Sequence, residues 1–197
     1  MIKIDFSFYI AILLALFARQ IDVYLTYLIA IIIHECGHLI MASLLKWEVE
    51  EFRISAIGGF LTFKNDLSKP AIQSFLVATS GIIFNLIFGI ILFALNGPAS
   101  LVYTQFAIAI FNLLPIAPLD GSKLMQSLLR GIFDYKTVLN IMKVANIIFL
   151  LIFALGIMAL RMEQYFIVAI VLAVLVGKFQ ATIPYVYERY KIQKGSN

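Results

Sequence analysis

Ile31-Ile32-Ile33-His34-Glu35-Cys36-Gly37-His38-Leu39-Ile40 is the stretch on which the reading of this chain turns. His34 and His38 are four residues apart, so on an α-helix they lie one turn apart on the same face. Two imidazoles so placed close on one zinc ion, and a neighbouring Glu35 suits the work of a general base. Ionisable side chains are costly in a run as apolar as Tyr27 to Leu45 if that run crosses a bilayer. The plainer alternative, two satisfied histidines in a helix-bundle core, is weakened by the carboxylate between them. Cys36 points away from the shared histidine direction and reads as packing. As the single cysteine it forms no internal disulfide.

The surroundings make this run a membrane segment. The 197 residues are 62% hydrophobic and only 13% charged, and the mean hydropathy is +0.99. A soluble domain needs more polar surface than that. The net charge of +4 sits in short blocks between apolar runs rather than on one face, so nucleic acid is not an expected partner. Lys3, offset by Asp5, is a weak basic start for a cleaved leader. The fold class expected is an all-α integral membrane protein with about six transmembrane helices. They fall at about residues 4–19, 23–45, 71–95, 99–115, 139–160 and 165–183, followed by a short cytoplasmic tail at 184–197. The first is short for a span unless Ile2 to Ile4 and Arg19 extend it. Between the second and third, β-favouring residues at about 48–64 surround Gly58-Gly59, which predicts a membrane-associated β-hairpin with the glycines at its turn.

The fourth run ends in Asn112-Leu113-Leu114-Pro115-Ile116-Ala117-Pro118-Leu119-Asp120-Gly121. Two prolines three apart stop the helix, and unwound backbone at membrane depth is tolerated where it lines an enclosed cavity. Ser122 to Asp134 then reads as a short amphipathic helix. Thirteen of the fifteen Lys and Arg residues fall on one side of the expected topology, which makes both termini cytoplasmic. The second and fourth spans therefore run in the same direction. His34 lies about 16 Å along its helix, between the midplane and the cytoplasmic boundary of a hydrocarbon core of about 30 Å. Asp120 follows the end of the fourth span near the same boundary, where it can be a third ligand. Two histidines and one carboxylate leave a fourth position open, as catalytic zinc sites do. Taken alone, Asp120-Gly121 also suits an ordinary turn. Asn112 and Asn85 also suit amide bridges between helices, and Gly81 suits close packing.

Residues 34–38 together with 112–121 resemble the site-2 protease family. These intramembrane zinc metalloproteases carry His-Glu-x-x-His in one helix and a later Asn/Pro-rich segment ending in Asp-Gly. The likeness is strongest to its sporulation branch, six-span enzymes that cleave the precursor of a sporulation sigma factor. The resemblance implies His34, His38 and Asp120 as ligands of one zinc ion and Glu35 as the catalytic base. It implies that Asn112 holds the substrate or the oxyanion, and that the hairpin at Gly58, Gly59 and Phe60 pairs with an extended substrate. The partners implied are a membrane-associated protein substrate, the bilayer of a bacterial cell membrane and membrane-protein inhibitors. Two features depart from the pattern. Ser80-Gly81-Ile82-Ile83-Phe84-Asn85 stands where many relatives have Ala-Gly-Pro before the Asn, and no CBS domain is expected in a chain that stops at Asn197. The competing class is a zinc-binding membrane protein without hydrolysis, a transporter or a catalytically silent regulator. A transporter places ionisable groups along a route through several helices, and the third, fifth and sixth spans lack charges at mid-depth.

Overall fold

The computed structural model describes residues 2–55 and 58–159, together with 173, 174, 176, 177, 181, 183 and 185–192. The chain divides into two compact units, Met1–Asp66 with Leu76–Phe111, and Leu67–Phe75 with Asn112–Asn197.

In the first unit a short strand β1 (Ile2–Ile4) leads into α1 (Phe6–Phe17) and the long α2 (Ile21–Leu44). Strands β2 (Val49–Ser55) and β3 (Gly58–Phe63) follow, then α3 (Ala71–Ala94), which starts in the second unit, and α4 (Ala99–Asn112). The sheet order is β1-β2-β3, with β1 parallel and β3 antiparallel to β2. Ile2, Lys3 and Ile4 pair with Phe52, Arg53 and Ile54, so the isoleucines extend no helix. That leaves α1 with 12 residues, about 18 Å and short of a bilayer core. Ser55 pairs with Gly58 and Ile54 with Gly59, so both glycines are paired strand residues rather than the turn expected at that position.

Among the described residues, three helices are long and apolar enough to cross a membrane: α2, α3 and α6 (Tyr135–Ala159). α1 and α4 are shorter apolar helices. The expected sixth span, 165–183, lies largely outside the described residues. Burial in α3 runs opposite to that of a water-soluble helix. Ser80, Gly81 and Asn85 are buried, whereas Ile83, Ile87, Phe88 and Ile91 are exposed. Apolar side chains facing outward and polar ones facing inward suit lipid as the solvent. Where α2 ends, Lys46 takes a left-handed φ of 56°. The Trp47 N–H returns to the Ala42 carbonyl at 2.8 Å, closing a Schellman cap. That turn seats Trp47 in an apolar cluster with Ala42, Phe63 and Val77. The Trp47 and Phe63 rings meet edge to face at 5.4 Å, so the cluster ties the end of α2 to the end of β3.

In the second unit, Leu113 to Leu119 form the break between α4 and α5 (Asp120–Leu129). The Ala117 N–H, freed from helical pairing, donates to Oδ1 of the fully buried Asn146 on α6 at 2.9 Å. α5 begins two residues earlier than the amphipathic pattern suggested, so Asp120 is its first residue. Arg130, just past α5, donates to the carbonyls of Leu67 and Lys69 at 3.0 and 2.9 Å and ties down the approach to α3.

Candidate metal centre

His34, Glu35 and His38 are all buried on α2, at 5%, 8% and 5% relative exposure, which confirms the helical face inferred from their spacing. His34 Nδ1 lies 2.6 Å from Asn85 Oδ1 on α3. The Asn85 amide nitrogen donates to the Ala30 carbonyl at 2.9 Å, so its oxygen is the end that faces His34. His38 Nδ1 lies 2.7 Å from the Val77 carbonyl oxygen, also on α3. Both partners are acceptors, so each Nδ1 carries the ring proton and each Nε2 keeps a lone pair.

The two Nε2 atoms are 3.1 Å apart, with the rings at 86° to one another. Two lone pairs brought that close repel unless a cation lies between them. Tetrahedral zinc with nitrogen ligands at about 2.0–2.1 Å sets such atoms about 3.3–3.4 Å apart. The donor set fits that ion.

Small residues make the arrangement possible. A Cβ on Gly37 would stand 2.6 Å from the Ser80 carbonyl oxygen, so α2 and α3 meet backbone to backbone there. A Cβ on Gly81 would stand 2.5 Å from His38 Nε2 and 2.9 Å from His34 Cε1. Gly81 thus does pack closely, and what it packs against is the pair of imidazoles. Its bareness keeps the space beside both nitrogens open. From β3, Gly58 lies against Ile31 of α2, and Gly59 against Glu35 of α2 and Phe52 of β2. Phe60, opposite Arg53 on β2, is half-buried.

The second unit holds the other residues singled out from the sequence. Asp120 is 4% exposed, and Lys123 Nζ lies 3.0 Å from its Oδ1. Asn112 is half-buried at the last position of α4. Asn85 is the residue whose role the sequence did not disclose. It does bridge helices, as asparagines in spans commonly do, but through the imidazole of a candidate ligand.

Against known families, the model described as Peptidase family M50 matches residues 23–98 and 97–156. The chain belongs to that family. It is a membrane metalloprotease, of a family whose members use zinc. The matched residues include all three groups of the motif on α2 and the proline-broken segment through Asp120. Among solved structures, the site-2 protease from Methanocaldococcus jannaschii is similar in fold, with a TM-score of 0.72 at 17% identity. The alignment covers 91% of this chain and 90% of that one. No curated protein matches the chain. Within this M50 chain, α2 and α3 bury His34, Glu35, His38 and Asn85.

Proposed function

We propose that this chain is an intramembrane zinc endopeptidase in which His34, His38 and Asp120 hold one metal ion and Glu35 is the catalytic base. The observation that carries the reading is the pair of histidine Nε2 atoms 3.1 Å apart, each ring proton already donated elsewhere. In support, His34, His38 and Asp120 are each buried, and each side chain offers a ligand atom of a kind that zinc takes. Bound there, zinc would supply Lewis acidity and bring the pKa of a water toward neutrality.

The chain's own groups then divide the work. The Glu35 carboxylate takes a proton from the attacking water and returns it to the amide nitrogen as the peptide bond breaks. Glu35 is buried beside the two histidines on α2. Asn112 offers an amide that would hold the scissile carbonyl. The substrate is a membrane-associated protein cleaved near the cytoplasmic side of a bacterial membrane, with both termini of the protease on that side. A precursor sigma factor or a membrane-anchored regulator is the substrate that the resemblance to the sporulation branch implies, with membrane-protein inhibitors as regulators. A helical peptide bond must first be unwound, and the β3 edge at Gly58, Gly59 and Phe60 would pair with the extended segment.

Co-expression with a candidate pro-protein tests the mechanism. Glu35→Gln is expected to retain zinc and abolish cleavage, because the ligands survive and the base does not. Cleavage by Glu35→Gln at the wild-type rate would reject Glu35 as the base. Asp120→Ala is expected to lose both zinc and cleavage.

A further inference from the structure

Behind the His34–Asn85 pair lies a third buried amide. Gln105 on α4 is fully buried, and its Oε1 accepts the second amide hydrogen of Asn85 at 2.5 Å. Gly89, one turn beyond Asn85 on α3, lets α4 come near: a Cβ there would stand 3.3 Å from Gln105 Cβ. The Gln105 Nε2 is buried with no hydrogen-bond partner among the described residues. A buried amide nitrogen left unpaired is a cost to the fold. An apolar side chain of similar volume would avoid it, so what Gln105 contributes is its oxygen.

That oxygen bears on which nitrogen of His34 carries the proton. The Asn85 amide has two orientations. In the one observed, both of its hydrogens meet acceptors, Ala30 O at 2.9 Å and Gln105 Oε1 at 2.5 Å, and its oxygen accepts from His34 Nδ1. Turned over, it would set its oxygen against the Ala30 carbonyl and offer an N–H to His34 Nδ1. The imidazole would then carry its proton on Nε2, the atom facing His38, and lose the lone pair a metal needs.

We propose that Gln105 is a positioning residue that acts through Asn85 to hold His34 in its metal-binding tautomer. The proposal rests on the reading of His34 and His38 as metal ligands. It adds a residue on a third helix that touches neither metal nor substrate.

The test is zinc affinity of the full chain in detergent micelles, read by competition with a chromogenic chelator. Gln105→Leu keeps the volume and removes the acceptor. It is expected to weaken zinc binding by about 10- to 100-fold, the range for loss of an outer partner of a ligating histidine. Gln105→Glu keeps an oxygen toward Asn85 and is expected to stay within a few-fold of wild type. In an Asn85→Leu background the chain of contacts is already cut, so adding Gln105→Leu is expected to change affinity no further. Unchanged affinity in a folded Gln105→Leu protein overturns the proposal. So does an equal loss in Gln105→Glu, or full additivity with Asn85→Leu, because either assigns the effect to packing. A wild-type chain that binds no zinc while His34→Ala behaves identically overturns instead the ligand reading on which the proposal stands.

Discussion

Gly59 on β3 lies directly against the side chain of Glu35 on α2. A Cβ at position 59 would stand 2.8 Å from Glu35 Cγ and 3.0 Å from its Cδ. The base of the proposed reaction is therefore held from the hairpin side by a residue that has no side chain to offer. Gly59→Ala forces Glu35 or Phe52 to move, because its methyl would also stand 2.9 Å from Phe52 Cε2. The three atoms nearest that methyl belong to Glu35 and Phe52 and none to a histidine. The expected outcome is a fall in cleavage of about 10- to 100-fold, the scale on which small misplacements of reacting groups act, with zinc affinity unchanged. Cleavage assays beside chelator titrations of the same preparation check both halves. Normal cleavage would mean that the hairpin does not set the position of Glu35.

Gly81 lies against the histidines instead, so its substitution is expected to affect metal binding and cleavage together. Its added Cβ would reach His38 Nε2 at 2.5 Å and Cε1 at 2.7 Å, as well as His34 Cε1 at 2.9 Å. The Nδ1 hydrogen bonds to Val77 and Asn85 tether both rings, so neither retreats without losing a partner. Gly81→Ala is expected to weaken zinc binding by at least about 10-fold and to lose cleavage with it. Wild-type zinc affinity in Gly81→Ala would show that the rings have room the observed packing denies them.

These two glycines mark how far the sequence could be read. His34, Glu35 and His38 were legible because an i, i+4 spacing is a local property of one helix, and burial of all three on α2 agrees with it. Gly58-Gly59 suggested a turn because glycine's commonest local use is there. The pair is instead needed where β3 passes Ile31 and Glu35, more than twenty residues away in the chain. Asn85 was named, but nothing local assigns it to an imidazole 51 residues earlier. Ile2 to Ile4 read as the start of an apolar helix until pairing with Phe52 to Ile54 made them a strand. In each case the missing information was a tertiary neighbour.

The start of α6 carries a pH-dependent contribution outside the membrane-spanning segments. The Asp134 carboxylate accepts from the Thr137 hydroxyl at 2.7 Å and from the Thr137 backbone N–H at 3.1 Å. These bonds, the hydroxyl's foremost, hold its pKa below the ordinary carboxylate value. A pKa depressed in the folded state stabilises above the unfolded value, about 3.9, and that stability is lost as pH falls through the folded value. Asp134→Ala is therefore expected to lower Tm by a constant margin between about pH 5 and pH 7. Below about pH 4 the margin is expected to shrink as the wild-type carboxylate takes up its proton. Thermal scans of both proteins across that range check it, and a margin that widened in acid would contradict the cap.

Gly121 bears on the proposed third ligand through the backbone itself. A Cβ there would collide with the carbonyl oxygens of Leu113 and Leu114, where the chain has left α4. Neither oxygen can rotate away as a side chain does, so relief requires the break or the start of α5 to shift. Asp120, the preceding residue and the first of α5, moves with any such shift. Gly121→Ala is expected to destabilise the protein by about 1–3 kcal/mol, as overpacking does in a close-packed interior. The loss should persist with a chelator present, because it arises from the backbone and not from bound metal. Zinc affinity is expected to fall as well, and Asp120→Ala supplies the reference for complete loss of that ligand. A Gly121→Ala protein as stable as wild type in chelator would mean that the break between α4 and α5 is soft enough to yield.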